Sequence, residues 1–595
     1  MRRFLIAASV TFALIIGAFL PIAAQHAPYR TLNDTFDPPH YTSLGDWNRR
    51  AAYLREHVLA SAGLLPMPDR TPLKPVVFGE VTHPDYTVSK VYFESLPGFF
   101  VAGNLYRPIG NGPFPAILSP HGHWAYGRLE NTLINSGPGR AINLARQGFV
   151  VFTYDMVGYN DSLQVPHTFS GRREYLWGLS LSGLQLWDSI RSLDFLETLP
   201  YVRRDAIGMT GESGGGTQTF LAAAIDPRIA VAAPVNMISL HMQGGCLCEN
   251  PPGLRLETTN VEIAATIAPR PLLMISATGD WTAETLEVEY PAVRGLYTLL
   301  DASDRVRAVR MTAEHNYNKE SREAMYAWMA RWLQHAPADM HPSERSFTPE
   351  PVSSLLVFHQ RALPPNAVDA AGLTADWIEA AKRQLAGGSA PVFSAALRHA
   401  LGFAAEGDVL VLPPKGGSYK SGGGGSYTVL LSTPNAELER ALGAAGLRVS
   451  VIPFTPFDPG AAGKIHHFET YNRTPASQRV ADIVSAVRAH PGAAVVADGD
   501  AALAAILAAA VAPVPLAILD VGQFDTSSDT DFVDHLYIPG LRRAGDLQTA
   551  LTMARGEIVV HNAGPTFNVT GLRAQSGRLA PSDIAALVRK AASRR

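Results

Sequence analysis

Residues 207–217 read Ile-Gly-Met-Thr-Gly-Glu-Ser-Gly-Gly-Gly-Thr, and this stretch decides the fold. An apolar strand precedes the G-x-S-x-G pattern of residues 211–215, and a helix-compatible segment follows it. A strand, a sharp turn and a helix are the setting of a nucleophile elbow. The glycines let the backbone turn tightly around Ser213, which we predict to be a nucleophile. The alternative is a glycine-rich turn with an ordinary exposed serine.

Short apolar strands alternate with helices on both sides of this turn. A helix capped by Asp46 comes first, and β-rich runs within residues 76–108 are predicted to open a sheet as antiparallel strands. Further strands are predicted at residues 114–119, 149–154, 207–210, 229–236, 271–277 and 306–312, with helices at 139–147, 181–199, 215–225 and 319–333. Such alternation requires a mainly parallel sheet covered on both faces. The predicted fold class is α/β, with an α/β-hydrolase domain at residues 45–335.

Two further strand ends supply the partners that a nucleophilic serine needs. The strand at residues 271–277 runs into Asp280, and the strand at 306–312 runs into His315. The chain order serine, acid, histidine is that of α/β-hydrolases. We predict His315 as the general base and Asp280 as the acid that orients it. Three other acids stay open as alternatives to Asp280, namely Glu249, Glu284 and Glu287.

Backbone amides from two loops are predicted to stabilise a tetrahedral intermediate. Gly214 follows the nucleophile directly, while Gly122 and His123 follow the strand at residues 114–119. His121 is predicted to shape this loop, and His121 and Trp124 are also substrate-binding candidates. A metal site on His121 and His123 is the alternative, which the lack of a neighbouring acidic ligand disfavours.

Residues 243–255 form a loop at a position where substrate-covering insertions are common. Cys246, Glu249 and Arg255 are substrate-binding candidates there, and a rigid structural loop is an equal alternative. The chain has two cysteines, Cys246 and Cys248. A local disulfide or two buried thiols are favoured over metal binding, because no two further ligands stand at the usual spacing. We predict no metal and no organic cofactor.

Four segments together resemble a known group of enzymes. They are Pro-His-Gly-His at 120–123, Tyr-Asp-Met-Val-Gly-Tyr-Asn-Asp-Ser at 154–162, Gly-Glu-Ser-Gly-Gly-Gly-Thr-Gln at 211–218 and His-Asn-Tyr at 315–317. Over roughly residues 45–335 the chain resembles exported bacterial α/β-hydrolases of the acetylxylan-esterase-like group, which are related to dienelactone hydrolases and prolyl-oligopeptidase-type enzymes. The resemblance implies hydrolysis of carboxylic esters, often acetyl groups on plant polysaccharides such as xylan.

Two other functions stay open. A serine peptidase of the prolyl-oligopeptidase type uses the same triad, although no recognisable propeller domain precedes the hydrolase segment here. A catalytically inert glycan-binding protein is the second alternative, and the presence of Ser213, Asp280 and His315 argues against it.

Composition and the N-terminal residues narrow the partners and the compartment. Charged residues make up 17% of the chain and the formal net charge is -3, so no basic field attracts nucleic acid. Residues 1–24 have the basic start, apolar run and small-residue end of a signal peptide, with an uncleaved anchor as the alternative. We expect a secreted or periplasmic protein without stable membrane insertion after cleavage, beginning with a lead-in segment at 25–44.

The second half of the chain repeats the alternation of strands and helices. Residues 336–351 form the predicted linker, and residues 352–595 a second α/β domain with a mobile glycine run at 422–426. Residues 493–502 resemble an elbow in which Asp500 replaces the serine, and a later strand leads to His561. We predict a degenerate α/β-hydrolase-like domain that has lost its nucleophile. An independent Asp500–His561 site is the alternative.

Overall fold

Two β-sheets organise residues 29–403 and 427–593, the part of the chain that the computed structural model describes. The predicted signal peptide and the glycine run at 422–426 lie outside these residues. Among the described helices, none is long and apolar enough to cross a membrane.

The strands are short, as the sequence predicts, and most of them begin and end within a few residues of the predicted positions. In chain order they are β1 Val76–Thr82, β2 Tyr86–Leu96, β3 Phe99–Pro108, β4 Phe114–Leu118, β5 Val150–Tyr154, β6 Val202–Glu212, β7 Ile229–Val235, β8 Leu272–Gly279, β9 Val306–Glu314, β10 Thr428–Leu431, β11 Arg448–Val451, β12 Ala494–Asp498, β13 Leu516–Asp520 and β14 Glu557–His561.

The helices occupy the segments between these strands. In chain order they are α1 Leu44–Ser61, α2 Gly137–Arg146, α3 Arg172–Leu176, α4 Leu181–Thr198, α5 Gly214–Ile225, α6 Asn260–Ala265, α7 Tyr290–Leu299, α8 Lys319–Leu333, α9 Val352–Leu355, α10 Ala370–Gly387, α11 Ala390–Leu401, α12 Ala436–Ala444, α13 Pro459–Ala462, α14 Phe468–Tyr471, α15 Pro475–Ala489, α16 Gly499–Val511, α17 Asp529–His535, α18 Asp546–Met553 and α19 Pro581–Ala592.

The first sheet has the order β1-β2-β3-β5-β4-β6-β7-β8-β9 within the described residues. Antiparallel pairing joins β1, β2, β3 and β5, and every pair from β5 to β9 is parallel. Helices α2 and α8 pack on one face, while α1, α4, α5 and α6 pack on the other. Because both faces are covered, the central strands β4, β5 and β7 are mostly apolar, and β6 is buried from Ala206 onward, as predicted for a parallel sheet.

The first helix begins slightly earlier than the sequence pattern indicates. Ser43 is the residue before α1, and its Oγ accepts a hydrogen bond from the Asp46 backbone N–H at 3.1 Å. The predicted cap, Asp46, lies instead in the first turn, where its negative charge is favourable beside the helix N-terminus.

The second sheet has the all-parallel order β11-β10-β12-β13-β14. It repeats the order β5-β4-β6-β7-β8 of the first sheet, so β12 corresponds to β6 and β14 to β8. Doubly wound sheets of several families share this order. The predicted second α/β fold is therefore present, and its strand order alone does not assign it to a family.

The turn after β12 differs from the predicted elbow. The residue with a backbone φ close to that of Ser213 is Gly499, at +53° against +55°, and it carries no side chain. Asp500 lies one residue later, in the first turn of α16. Its carboxylate contacts His535 at 3.1 Å and Arg479 at 3.2 Å, so the alternative of an Asp500–His561 site does not form.

The predicted linker at residues 336–351 is held against the first sheet. Glu344 forms an ion pair with Arg322 of α8 at 2.6 Å, and the Phe347 ring covers Gly139 of α2. Packing with the first sheet continues well beyond residue 351. The side chains of α10 that join its core are Leu373, Trp377, Ile378 and Ala381, whereas α11 joins the core of the second sheet. The change of core therefore falls between α10 and α11.

We predict that Trp377→Ala lowers the free energy of unfolding by about 3–5 kcal/mol, because a large buried side chain is replaced by a cavity. The indole also donates a hydrogen bond to the Trp177 carbonyl at 2.9 Å. Urea unfolding followed by circular dichroism measures the change. Asp376→Ala, at an exposed position of the same helix, is the matched control. A parent-like midpoint for Trp377→Ala would contradict the assignment of α10 to the first core.

Candidate active site

Ser213 stands at the turn between β6 and α5 in a strained backbone conformation. Its φ of 55° and ψ of -122° are unusual for a residue with a side chain. The turn depends on Gly215, since a Cβ there would lie 2.7 Å from the Pro120 carbonyl oxygen. The Ser213 backbone N–H donates to the Val235 carbonyl at 3.1 Å, which holds the turn against β7. The strand, the strained turn and the helix are those of the predicted elbow.

Asp280 and His315 meet because their strands are in register. Gly279 of β8 pairs with Glu314 of β9, and each is followed by one of the two residues. The Nδ1–H of His315 donates to Asp280 Oδ2 at 2.6 Å. The other carboxylate oxygen of Asp280 accepts from the backbone N–H of Thr282 at 2.7 Å. With Nδ1 protonated, Nε2 of His315 keeps its lone pair and can act as a base.

The three other predicted acids lie away from His315. Glu287 pairs with Arg310 at 2.6 Å, and Glu284 is exposed. Glu249 binds the backbone N–H groups of Gly245 and Cys246. Among the described residues, Asp280 is the acid that hydrogen-bonds to His315.

Two tryptophans flank the histidine ring. Trp281 stacks on His315 with ring centroids 4.7 Å apart, and Trp124 lies on it at 6.3 Å. The His315 side chain stays 27% exposed between them, whereas that of Asp280 is fully buried. Sequence reasoning missed Trp281, although its position directly after Asp280 is a usable signal. The Ser213 side chain makes no capping hydrogen bond to α5.

A buried carboxylate, Glu212, connects the nucleophile to the loop after β4. Its Oε1 accepts hydrogen bonds from the Gly122 backbone N–H at 3.1 Å and from the Trp124 Nε1–H at 2.7 Å. Its Oε2 accepts from Arg140 of α2 at 3.1 Å, and both side chains of this ion pair are buried. Sequence reasoning missed Glu212 and Arg140, because a buried ion pair between distant segments leaves no local pattern.

The bond to Glu212 corrects one prediction about the oxyanion hole. Gly122 is predicted to donate its N–H to an oxyanion, but that N–H is directed at the Glu212 carboxylate. The N–H of His123 has no acceptor within the described residues, and that of Gly214 opens α5, where the first helical amides lack intrahelical partners. His123 and Gly214 are also adjacent, since a Cβ on Gly214 would lie 2.7 Å from the His123 ring.

Comparison with known proteins identifies the family. No protein-family model matches the sequence. Among solved structures, the chain is similar to the methylesterase BT1017, with 30% sequence identity and a TM-score of 0.50. The match covers 58% of this chain and 78% of that one. The chain belongs to the family of this methylesterase.

Two further proteins show weaker similarity to this chain. The Bacillus subtilis (strain 168) protein named "Putative hydrolase YtaP" is 26% identical over 256 residues, which are 40% of this chain and 84% of the relative. An acetyl xylan esterase from Paenibacillus sp. R4 is 19% identical with a TM-score of 0.33, covering 50% of this chain and 97% of that one. Membership of the methylesterase family confirms the predicted α/β-hydrolase fold and the predicted class, a hydrolase of carboxylic esters.

His121 of the esterase is a structural residue of the loop after β4. It is 1% exposed, its Nδ1–H donates to the Gly122 carbonyl at 2.7 Å, and its Nε2 accepts the Met156 N–H at 3.0 Å. Burial lowers the pKa of His121 to about 3, so the ring is neutral at ordinary pH. With both ring nitrogens used and no exposed surface, His121 does not bind substrate. The burial of His121 contradicts the substrate-binding prediction, and the loop-shaping role stays a prediction with which its two hydrogen bonds agree.

In the loop at residues 243–255, two of the three predicted substrate-binding side chains are buried and hold the loop together. Arg255 is fully buried, and its guanidinium donates to the Glu249 carbonyl at 2.8 Å and to Asn250 and Asn260. Glu249 is 3% exposed, and its Oε2 accepts the N–H groups of Gly245 and Cys246 at 2.7 and 3.0 Å. The substrate-binding prediction is therefore wrong for Arg255 and Glu249. Trp124 and Cys246 keep partly exposed side chains.

Two cysteines and two histidines of the esterase lie together beside this loop. Cys246 and Cys248 are free thiols, and they face His123 from the loop after β4 and His167 from the segment after β5. A hydrogen bond from the Cys248 thiol, together with the facing imidazoles, lowers the pKa of Cys246 to about 2. The cysteines form no disulfide, and Cys248 is buried whereas Cys246 is partly exposed. Sequence spacing could not reveal the two histidines beside them, because His123 and His167 come from distant parts of the sequence.

We predict that Glu212→Gln lowers the free energy of unfolding by about 3–5 kcal/mol, because Arg140 is left as a buried charge without its partner. Denaturant unfolding of the purified esterase measures the loss. Glu320→Gln, at an exposed position in the first turn of α8, is the matched control and should stay within about 0.5 kcal/mol of the parent. Equal stability of the two variants would show that the buried pair does not support the elbow.

Proposed function

We propose that the chain is an exported serine ester hydrolase that removes acyl or methyl ester groups from plant polysaccharides. The observation that carries the serine mechanism is the strained Ser213 turn at the carboxyl end of β6. The hydrogen-bonded Asp280–His315 pair lies at the carboxyl ends of β8 and β9 in the same parallel sheet. The export part rests on the signal-like sequence of residues 1–24.

In the proposed mechanism, Ser213 Oγ attacks the ester carbonyl carbon while Nε2 of His315 takes its proton. Asp280 stabilises the imidazolium that forms, since it already accepts the Nδ1–H. The alcohol then leaves with a proton from His315, and an acyl-enzyme remains on Ser213. Water attacks this ester by the same route and releases the acid.

The negative oxygen of the intermediate is assigned to the N–H groups of Gly214 and His123. Gly214 opens α5, and the amides at a helix N-terminus favour developing negative charge. The His123 ring lies against Gly214, so the two loops that supply these donors are in contact. This pair replaces the Gly122 donor that the sequence predicts.

A carbohydrate ester is the favoured substrate class. The relative BT1017 is named a methylesterase, which supports a small alkyl or acyl ester over a peptide amide. The rings of Trp124 and Trp281 flank His315 and are partly exposed, which suits stacking against an apolar face of a sugar ring. Incubation with methyl-esterified pectin and with acetylated xylan, followed by measurement of methanol and acetate, tests the substrate. Release of neither product, with peptide amides cleaved instead, would reject it.

The domain division is also a proposal. We assign residues 45–335 to the catalytic domain, and residues 352–595, apart from the α10 segment that packs on the first sheet, to a degenerate hydrolase-like domain. The repeated strand order and the elbow-like φ of Gly499 support a degenerate hydrolase. Its proposed role is support, since the backbone N–H groups of Gly253 and Arg255 donate to the carbonyls of Glu469 and Thr470.

We predict that Ser213→Ala abolishes ester hydrolysis and that Asp280→Asn lowers kcat by about four orders of magnitude, because the histidine tautomer is no longer fixed. Initial rates on p-nitrophenyl acetate measure both losses. Glu287→Gln is the control, since Glu287 was an alternative acid but pairs with Arg310. If Asp280→Asn keeps near-parent rates while Glu287→Gln does not, the acid is misassigned.

The double change Asp500→Ala and His561→Ala should leave ester hydrolysis within a few-fold of the parent, because these side chains neither contact each other nor follow a strained serine turn. The same p-nitrophenyl acetate assay applies, with circular dichroism to verify folding and Ser213→Ala as the inactive reference. A collapse of turnover in the folded double variant would show that the second domain takes part in catalysis.

A further inference from the structure

Four soft or borderline donor atoms converge beside the proposed oxyanion hole. They belong to His123, His167, Cys246 and Cys248, and all four donor atoms lie within 4.8 Å of one another. His123 Nε2 is 3.1 Å from Cys248 Sγ, and His167 Nε2 is 3.3 Å from Cys246 Sγ. Two imidazoles and two thiols are a donor set of structural zinc sites.

The unused ring nitrogens of both histidines face oxygen atoms. Nδ1 of His167 donates to the Val157 carbonyl at 2.6 Å, and Nδ1 of His123 lies 3.8 Å from a Glu249 carboxylate oxygen. At His167 this hydrogen bond fixes the tautomer whose Nε2 lone pair is free, which is the usual arrangement of metal-binding histidines. The Nε2 atoms of both rings face the cysteine sulfurs.

We propose that His123, His167, Cys246 and Cys248 bind one Zn²⁺ ion in a closed tetrahedral site. Zinc bonds of about 2.3 Å to sulfur and about 2.0–2.1 Å to nitrogen place neighbouring N and S ligands about 3.6 Å apart in a tetrahedron. The observed N···S separations of 3.1 and 3.3 Å need only a small outward movement. Two thiolates also balance the charge of the ion.

The surrounding loop is already fixed in the geometry that the site needs. Glu249 Oε2 accepts the backbone N–H groups of Gly245 and Cys246, and the Asn250 side chain donates to the Gly244 and Cys246 carbonyls at 2.8 Å each. Because the cysteines need little reordering, binding costs less conformational entropy than in a mobile loop.

The position of the site indicates a positioning role. The protein fills all four coordination positions, so no position remains for water or substrate, as in structural zinc sites. The ion would crosslink the loop after β4, the segment after β5 and the loop after β7. Since His123 also supplies a proposed oxyanion donor and lies against Gly214, the zinc site holds that donor in place. This role rests on the proposed function, whereas the metal site itself does not.

The experiment uses the full chain, exported by its host in zinc-supplemented medium and purified without a polyhistidine tag or chelator. Inductively coupled plasma mass spectrometry should find about one zinc per chain. Cys246→Ser and His167→Ala should each lose most of it. His359→Ala, which removes an exposed histidine elsewhere, and Ser213→Ala, which removes the proposed nucleophile, should both keep the metal.

Zinc K-edge absorption should show two sulfur and two nitrogen ligands, and both thiols should react with Ellman's reagent only after a chelator is added. Chelation should lower the Tm of the parent but not that of Cys246→Ser. Metal-free protein, a Cys246–Cys248 disulfide by mass spectrometry, a different metal, or zinc retained by the cysteine variant would each overturn the proposal. Because Ser213→Ala separates metal content from hydrolysis, failure of the zinc site and failure of the esterase mechanism give different results.

Discussion

The carboxylate of Glu212 is the interaction on which the rest of the site depends. It directly precedes the strained Ser213, and it binds the backbone of Gly122, the indole of Trp124 and the guanidinium of Arg140. A buried carboxylate is costly unless its oxygens are fully hydrogen-bonded, so this cluster tolerates one arrangement only. Through Glu212, the nucleophile strand therefore sets the position of the loop that carries the proposed oxyanion donor and of the ring that stacks beside His315.

The loop at residues 243–255 is restrained from both halves of the molecule. Arg255 and Glu249 hold it from inside, and Thr470 and Tyr471 of the second half bind Asn250 at 2.9 and 3.2 Å. His467 adds a contact of 3.3 Å to the Gly245 carbonyl. A segment with so many polar contacts has few alternative conformations, which is the property that a metal site or an oxyanion hole requires. The second half thus affects the site through the backbone of this loop.

Local patterns explain what the sequence could predict. Strands and helices of the sheets follow from hydrophobic periodicity, and Asp280 and His315 were found because each directly follows a strand end. The sequence could not show that the Gly122 N–H turns to Glu212, since that bond depends on a side chain distant in the chain. His167 was missed for a related reason, because its partners lie on other loops at no fixed spacing. The packing of α10 on the first sheet could not be predicted, because the core that it joins lies on the other side of the predicted linker.

Because α10 packs on the core of the first sheet and α11 on that of the second, the two sheets are coupled in unfolding. Only Gly388 and Ser389 separate a helix buried on the first sheet from one buried on the second. Because this connection is so short, one helix cannot leave its core without displacing the other, so partial unfolding of one sheet disturbs the packing of the other. A chain cut at residue 351 would expose the groove that Leu373 and Ile378 fill and would tend to aggregate. The smallest part of the chain that keeps the first core intact therefore extends beyond the catalytic segment and includes α10. The two sheets should unfold as one cooperative unit.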